Sequence, residues 1–336
     1  MTVVGTFGLS VRDPALEADV QAGLAAVEEG LLEATKSEVP FITEAAQHLV
    51  RAGGKRFRPL LVALAAQFGD PYAPGIVPSA VVVELTHLAT LYHDDVMDEA
   101  DVRRGVPSAN TRWGNSVAVL TGDFLFARAS HILADLGPDA VRIQAEAFER
   151  LVTGQILETA GPSDGRDPVD HYLDVLGGKT GSLVAVACRF GAMMSGADET
   201  VVDVLTQYGE RLGVAFQLAD DVLDIASDSH ESGKTPGTDL REGIPTLPVL
   251  RLRERAERLG LAEDRELVEL LDGDLSGDDR LAEAVSRLRA HPALEQARRD
   301  TVRYAEDARS ALAPLPECEA KAALVELCDA VVHRAG

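Results

Sequence analysis

The chain has 336 residues, 46% of them apolar, so it can bury a large core, and its 32 basic against 55 acidic residues leave a net charge of −23 that excludes a nucleic-acid partner. Its three cysteines, Cys188, Cys318 and Cys328, show no metal-ligand or CxxC spacing, as in a reduced cytoplasmic protein. No charged-then-apolar leader opens the chain, no run of about eighteen apolar residues is expected to insert stably in a bilayer, and no linker or composition break divides it, so one domain over 1–336 is expected.

Residues 1–12 have no clear period and are expected to form a mobile tail. Asp13-Pro14 starts a helix, Asp as N-cap and Pro in the first turn, with Leu16, Val20, Leu24, Val27 and Leu31 at helical spacing. A second helix runs from Phe41 to Ala52 and stops at Gly53-Gly54. Lys55-Arg56-Phe57-Arg58-Pro59 follows, flexible backbone plus positive charge at a helix junction, which suits either an anion or a solvated helix start. The stretch 69–78 holds Pro71, Pro74, Gly75 and Pro78 and reads as a loop.

The central element comes next. Ser79 is a good N-cap, and Ala80 through Met97 contains neither Gly nor Pro, which predicts one buried helix ending in Asp94-Asp95-Val96-Met97-Asp98. Asp94 and Asp98 are one turn apart, and Asp95 lies three residues before Asp98. Three carboxylates at the end of an apolar helix repel one another unless a cation neutralises them, and hard oxygen ligands suit Mg²⁺, which often bridges to phosphate. An anionic substrate is compatible with the acidic chain, because bound metal ions invert the local field.

Arg103-Arg104-Gly105 lies just beyond, offering either phosphate forks or a basic turn. Residues 115–133 and 140–157 read as further apolar helices, the first interrupted at Gly122-Asp123 and the second carrying Gln155. The segment Gly177-Gly178-Lys179-Thr180-Gly181-Ser182 has the wrong glycine spacing for a P-loop; it is either a helix kink or a way of presenting a cation and carbonyl oxygens to a ligand. Phe216-Gln217-Leu218-Ala219-Asp220-Asp221-Val222-Leu223-Asp224 then repeats the acidic spacing at the end of a second apolar run. Two such helices facing each other would form one cage for several divalent ions. A polar loop from 228 to 243 carries Lys234, a helix starts at Leu247 and is interrupted near Gly260, and two or three amphipathic helices fill 261–334. No alternating strand pattern is present, so the class is all-α.

Taken together and in order, GGKRFRP, DDVMD followed by RRG, GGKTGS, FQLADDVLD, GKTPGTDL and TLP make the stretch from about residue 40 to 250 resemble the trans-isoprenyl diphosphate synthases, the polyprenyl synthetases. The resemblance implies an isoprenoid-synthase helical bundle around a central cavity, usually a homodimer, with three Mg²⁺ ions. It implies a prenyltransferase that adds isopentenyl diphosphate head to tail to an allylic primer such as farnesyl or geranylgeranyl diphosphate. By position, Asp94 and Asp98 match direct metal ligands with Asp95 supporting, and Asp220 matches the ligand of the third ion, with Asp221 and Asp224 acting directly or through water. Arg103 matches the arginine that holds the allylic diphosphate. Lys55, Arg58, His87 and Arg104 match the metal-free isopentenyl diphosphate pocket. Lys179, Thr180, Gln217 and Lys234 match the lining of the allylic site, the first three of these carrying catalytic roles. The chain departs from the common pattern after Glu242-Gly243, where Ile244-Pro245 replaces a frequent Lys and throws weight on Lys234.

In this family bulky aromatics four or five positions before the first Asp stop chain growth. Thr90 and Ala89 hold those positions and are small, which predicts a product of roughly six to ten isoprene units. A geranylgeranyl or other shorter-chain synthase, and a non-catalytic subunit of a heteromeric synthase, are the alternatives, although such subunits lose the aspartates or arginines that this chain keeps. A class I terpene cyclase would lack the second acidic motif and the isopentenyl pocket.

Overall fold

The computed structural model describes residues 13–163, 165–226 and 236–335. The 1–12 tail and Lys234 lie outside the described residues. The helices, in chain order, are α1 Pro14–Ala34, α2 Pro40–Arg51, α3 Phe57–Ala65, α4 Ile76–Met97, α5 Ala109–Trp113, α6 Asn115–Leu136, α7 Pro138–Ala160 and α8 Pro168–Leu176. After a π-helical turn, Gly177–Gly181, come α9 Ser182–Met194, α10 Glu199–Ala226, α11 Thr238–Arg241, α12 Leu247–Leu259, α13 Ala262–Leu271, α14 Asp278–Arg289, α15 Pro292–Ala311 and α16 Glu319–Ala335. The fold is all-α.

Two compact units are distinguished. The first is built from the described parts of Met1–Glu149, Leu183–Gly209 and Ala311–Glu326; the second from those of Arg150–Ser182, Glu210–Ser310 and Leu327–Gly336. In the first, α4 is the core element. It packs most extensively on α6 and also on α1 and α3. Val82, Val83, Leu85, Leu88, Ala89 and Tyr92 are fully buried. Each large aliphatic side chain so buried stabilises the fold by about 1.5–3 kcal/mol relative to exposure, so the core fixes the position of the charged end of α4. In the second unit, α12 packs on α8 and α13.

Several boundaries differ from those expected. α4 begins at Ile76, with Pro78 in its first turn, where a missing N–H costs nothing; Ser79 is not its cap but bonds back to the Ile76 carbonyl at 2.8 Å. Gly122 does not interrupt α6; it lets α6 lie close to α4, since a Cβ there would sit 2.3 Å from His93 Nε2 and 3.1 Å from the Ala89 carbonyl. Asp167 caps α8 by accepting from the Val169 and Asp170 amides at 2.8 and 3.0 Å. The C-terminal region holds four helices, not two or three. A two-residue ribbon, β1 Val102–Arg103 with β2 Val106–Pro107, also forms. Its connecting residues Arg104 and Gly105 both have positive φ, the pattern of a type I′ hairpin turn.

Among the described residues one helix is long and apolar enough to cross a membrane by length and composition, which corrects the expectation of none: α6, with a mean hydropathy of 1.3 over its best window. The helix lies along α4 and buries Ala118, Leu125, Ala129 and Leu133 there, while Val119 and Leu120 stay exposed.

Candidate active site

In the first unit, the stop of α2 at Gly53-Gly54, the start of α3 and the middle of α4 bring a set of cations together. Arg56 adopts a left-handed conformation (φ 50°) and is almost fully buried. It donates to the buried Glu84 of α4 at 2.9 Å, to the Val50 carbonyl at 3.0 Å and to both oxygens of Glu28 on α1. Arg104, also left-handed (φ 53°), lies 3.7 Å from Glu84 and donates to the Leu49 carbonyl at 3.1 Å and to the Gly53 carbonyl. Its guanidinium covers Gly54 so closely that a Cβ there would come within 2.9 Å of it.

Arg58 joins the same cluster. Its Nε is buried without a hydrogen-bond partner, and burial pushes its pKa down to about 10, Glu84 opposing and Arg104 reinforcing. His87, one turn beyond Glu84, is held neutral, its pKa well below the usual value because of burial and then the charges of Arg58, Arg104, Arg103 and Arg56. Lys55 is exposed at the rim. The pocket therefore gathers the candidates Arg58, His87 and Arg104 around one carboxylate, with positive charge in excess and buried N–H donors to spare. That is the chemistry of a site for a diphosphate oxyanion.

The same helix ends in the first acidic motif. Asp94 is half-buried and Asp98 exposed, while Asp95 is fully buried and accepts from Arg103 Nε at 2.6 Å. Burial raises the Asp95 pKa, Arg103 opposing. Asp95 thus holds Arg103, and its Oδ2 is buried with no hydrogen-bond partner. Carboxylates at a helix C-terminus oppose the helix dipole. This placement and the orphaned oxygen both fit a divalent cation. Among the described residues no three His, Cys, Asp or Glu side chains enclose an ion by themselves; Mg²⁺ commonly completes its shell with water and substrate oxygens.

The second unit presents a linked polar set. The π turn Gly177–Gly181 is allowed by a backbone contact: a Cβ on Gly178 would meet the Arg150 carbonyl of α7 at 2.8 Å and Gly154 Cα at 3.2 Å. It presents Lys179, whose Nζ donates to Glu158 at 2.7 Å, and Thr180, whose hydroxyl is 3.5 Å from Gln217 Oε1. Gln217 Nε2 donates to Asp221 at 3.1 Å, and the Tyr172 hydroxyl donates to the other Asp221 oxygen. Asp221 is buried, and desolvation pushes its pKa up to about 7, Tyr172 opposing. Asp224 accepts from the amides of Thr238 and Asp239 at 3.2 and 3.3 Å and so caps α11. Asp221 and Asp224 are thus committed to protein partners, and Asp220 is half-buried on the same helix.

Sequence reasoning did not single out Arg56, Glu28, Glu84, Glu158 or Tyr172. The available signal was Glu84, a charge inside an otherwise apolar run and three residues before His87 on the same helical face.

The sequence profile of the polyprenyl synthetases matches residues 39–288. The chain belongs to the polyprenyl synthetase family. It is a prenyltransferase, and the matched segment draws on both compact units. It is 47% identical over 98% of its length to a nonaprenyl diphosphate synthase of Mycobacterium tuberculosis, of which 97% is covered. It is 37% identical to component 2 of a heptaprenyl diphosphate synthase from Geobacillus stearothermophilus, over 90% of this chain and 93% of that one. A geranylgeranyl pyrophosphate synthase from Corynebacterium glutamicum, solved with calcium and isoprenyl diphosphate, superposes with a TM-score of 0.86 at 44% identity, covering 97% of this chain and 99% of that one. Divalent metal use accords with this family and with the donors at both acidic motifs.

Proposed function

We propose that the chain joins isopentenyl diphosphate to an allylic diphosphate primer, farnesyl or geranylgeranyl diphosphate, using three Mg²⁺ ions. It is an all-trans polyprenyl diphosphate synthase of medium chain length, with about six to ten isoprene units in the product. The observation that carries this reading is the surplus of buried guanidinium over carboxylate around Glu84, on the very helix that ends in Asp94 and Asp98.

Asp94 and Asp98, with Asp220 on the second motif, would hold the metal ions; bound there, Mg²⁺ neutralises the allylic diphosphate and makes it a leaving group. Arg103, steadied by Asp95, binds that diphosphate. Arg58, Arg104, His87 and Lys55 hold isopentenyl diphosphate and orient its alkene. When the allylic C–O bond breaks, the Thr180 hydroxyl and the Gln217 carbonyl supply dipoles to the delocalised carbocation, and Lys179 adds a positive charge beside them. The alkene attacks the cation to form the new C–C bond, and the released diphosphate takes the proton that is then lost. Ala89, fully buried, and Thr90, half-buried, are the small residues proposed to let the chain grow. Tyr92 does not restrict it, because its hydroxyl donates to the Ala45 carbonyl of α2 at 2.6 Å and ties the ring to that helix.

A homodimer is supported by Val119 and Leu120 on α6, which are 39% and 65% exposed, and by Val141 on α7 at 42%. Sedimentation of Leu120→Asp against the native protein reads the assembly state. Purified protein alone, incubated with farnesyl diphosphate, isopentenyl diphosphate and Mg²⁺, should give polyprenyl diphosphates of about 30 to 50 carbons by mass spectrometry. A product ending at 20 carbons would make it a shorter-chain synthase, and no product would make it a partner-dependent subunit.

A further inference from the structure

We propose that the cleft between α12 and α15 is an accessory binding site for a diphosphate group, free or as the head of an ester. Arg251, Arg255 and Arg258 from α12 and Arg299 and Arg303 from α15 line one cavity of about 330 Å³. The only carboxylates lining it are Glu254 and Asp300. None of these residues belongs to the acidic or basic motifs of the catalytic machinery.

The two carboxylates are used internally. Asp300, 6% exposed, holds Arg251 Nε at 2.7 Å and lies 3.5 Å from Arg303; Glu254 holds the other arm of Arg251 at 2.6 Å. Arg255 is paired through its Nε with the fully buried Asp264 at 3.1 Å. What remains is an excess of positive charge. Arg299 and Arg303 are 58% and 61% exposed, and Arg299 spends one N–H on Gln296 at 2.7 Å while standing 3.8 Å from Glu295. Arg258 is exposed at the rim. Pro292, Ala293 and Gln296, in the first turns of the 20-residue helix α15, complete the lining.

Glu254, Asp264, Asp300 and Glu295 offset part of the charge of the five guanidiniums. An anion would balance the charge that these pairs leave over, and planar forks set on two helices lining one cavity suit several phosphoryl oxygens at once. The cavity is larger than a single phosphate needs, and a diphosphate carries the charge to match.

The test is arginine-specific labelling of the native protein with phenylglyoxal in EDTA, read peptide by peptide, with and without inorganic diphosphate or isopentenyl diphosphate. Protection of Arg258, Arg299 and Arg303 by either compound is the expected result, and the compound that protects more strongly identifies the source. Equal labelling with and without both, or equal protection by sulfate at matched ionic strength, overturns the proposal. In titration calorimetry, Arg258→Ala/Arg299→Ala should weaken one of the diphosphate-binding events by at least about tenfold while synthase turnover stays unchanged; a binding isotherm identical to the native one also overturns it.

Discussion

Glu84 shows how one buried carboxylate can organise several cations. It is 2% exposed, meets Arg56 at 2.9 Å and stands 3.7 Å from Arg104. Glu84→Gln leaves Arg56 buried with less compensation, which should cost about 3 kcal/mol in urea denaturation. Loss of Arg104 positioning should also raise the KM for isopentenyl diphosphate at least about tenfold, with a smaller change in kcat. His87 gives a pH signature. In the folded chain it is held neutral, its pKa well below the ordinary 6.5, whereas in the unfolded chain it takes up a proton near that value. The unfolded state therefore binds more protons below about pH 6.5, and the stabilisation present above that pH is lost as pH falls. Between pH 6.5 and 5.5 the native protein should lose about 1 kcal/mol more than His87→Asn, read from paired denaturation curves. The motifs made Lys55, Arg58 and Arg104 legible as a group, but not Arg56 and Glu84. Their role depends on a left-handed backbone at Arg56 and on a contact from α3 to α4, and neither leaves a local pattern.

Among the elements, α4 carries both the basic pocket and the first acidic motif, and its period was legible because nothing in Ala80 to Met97 breaks a helix. Its start was not. Pro78 and Gly75 read as loop residues although a first turn accepts them. The same holds for Gly122, which as a residue type suggests a break but in place lets α6 lie close to α4. On the proposed reading, Ala89→Phe or Thr90→Phe should shorten the product by several isoprene units in a radiolabelled extension assay, because an added ring takes up room that the growing chain needs. An unchanged length distribution would remove this account of product length. The segment Gly177–Gly181 was recognisable as a break but not as a π turn, since its geometry depends on the backbone contact between Gly178 and Gly154.

For the whole molecule, the acidic composition and the demand for divalent cations belong together. Asp94→Ala and Asp220→Ala should each lower the initial rate by more than the roughly 10–100-fold that loss of an outer-sphere partner costs a metal site, and EDTA should abolish turnover in the native protein. The all-α class and the order of motifs could be read from the chain. The commitments of Asp95 to Arg103, Asp221 to Tyr172 and Asp224 to α11 could not, because each partner is set by tertiary packing. The left-handed conformations of Arg56 and Arg104, locked by their neighbours, also mean that the resting enzyme is already charged for its first guest. A five-carbon building block in surplus can then crowd into both headgroup positions and leave the primer outside. Velocity plotted against its concentration should accordingly rise, peak and decline, and more primer should restore it.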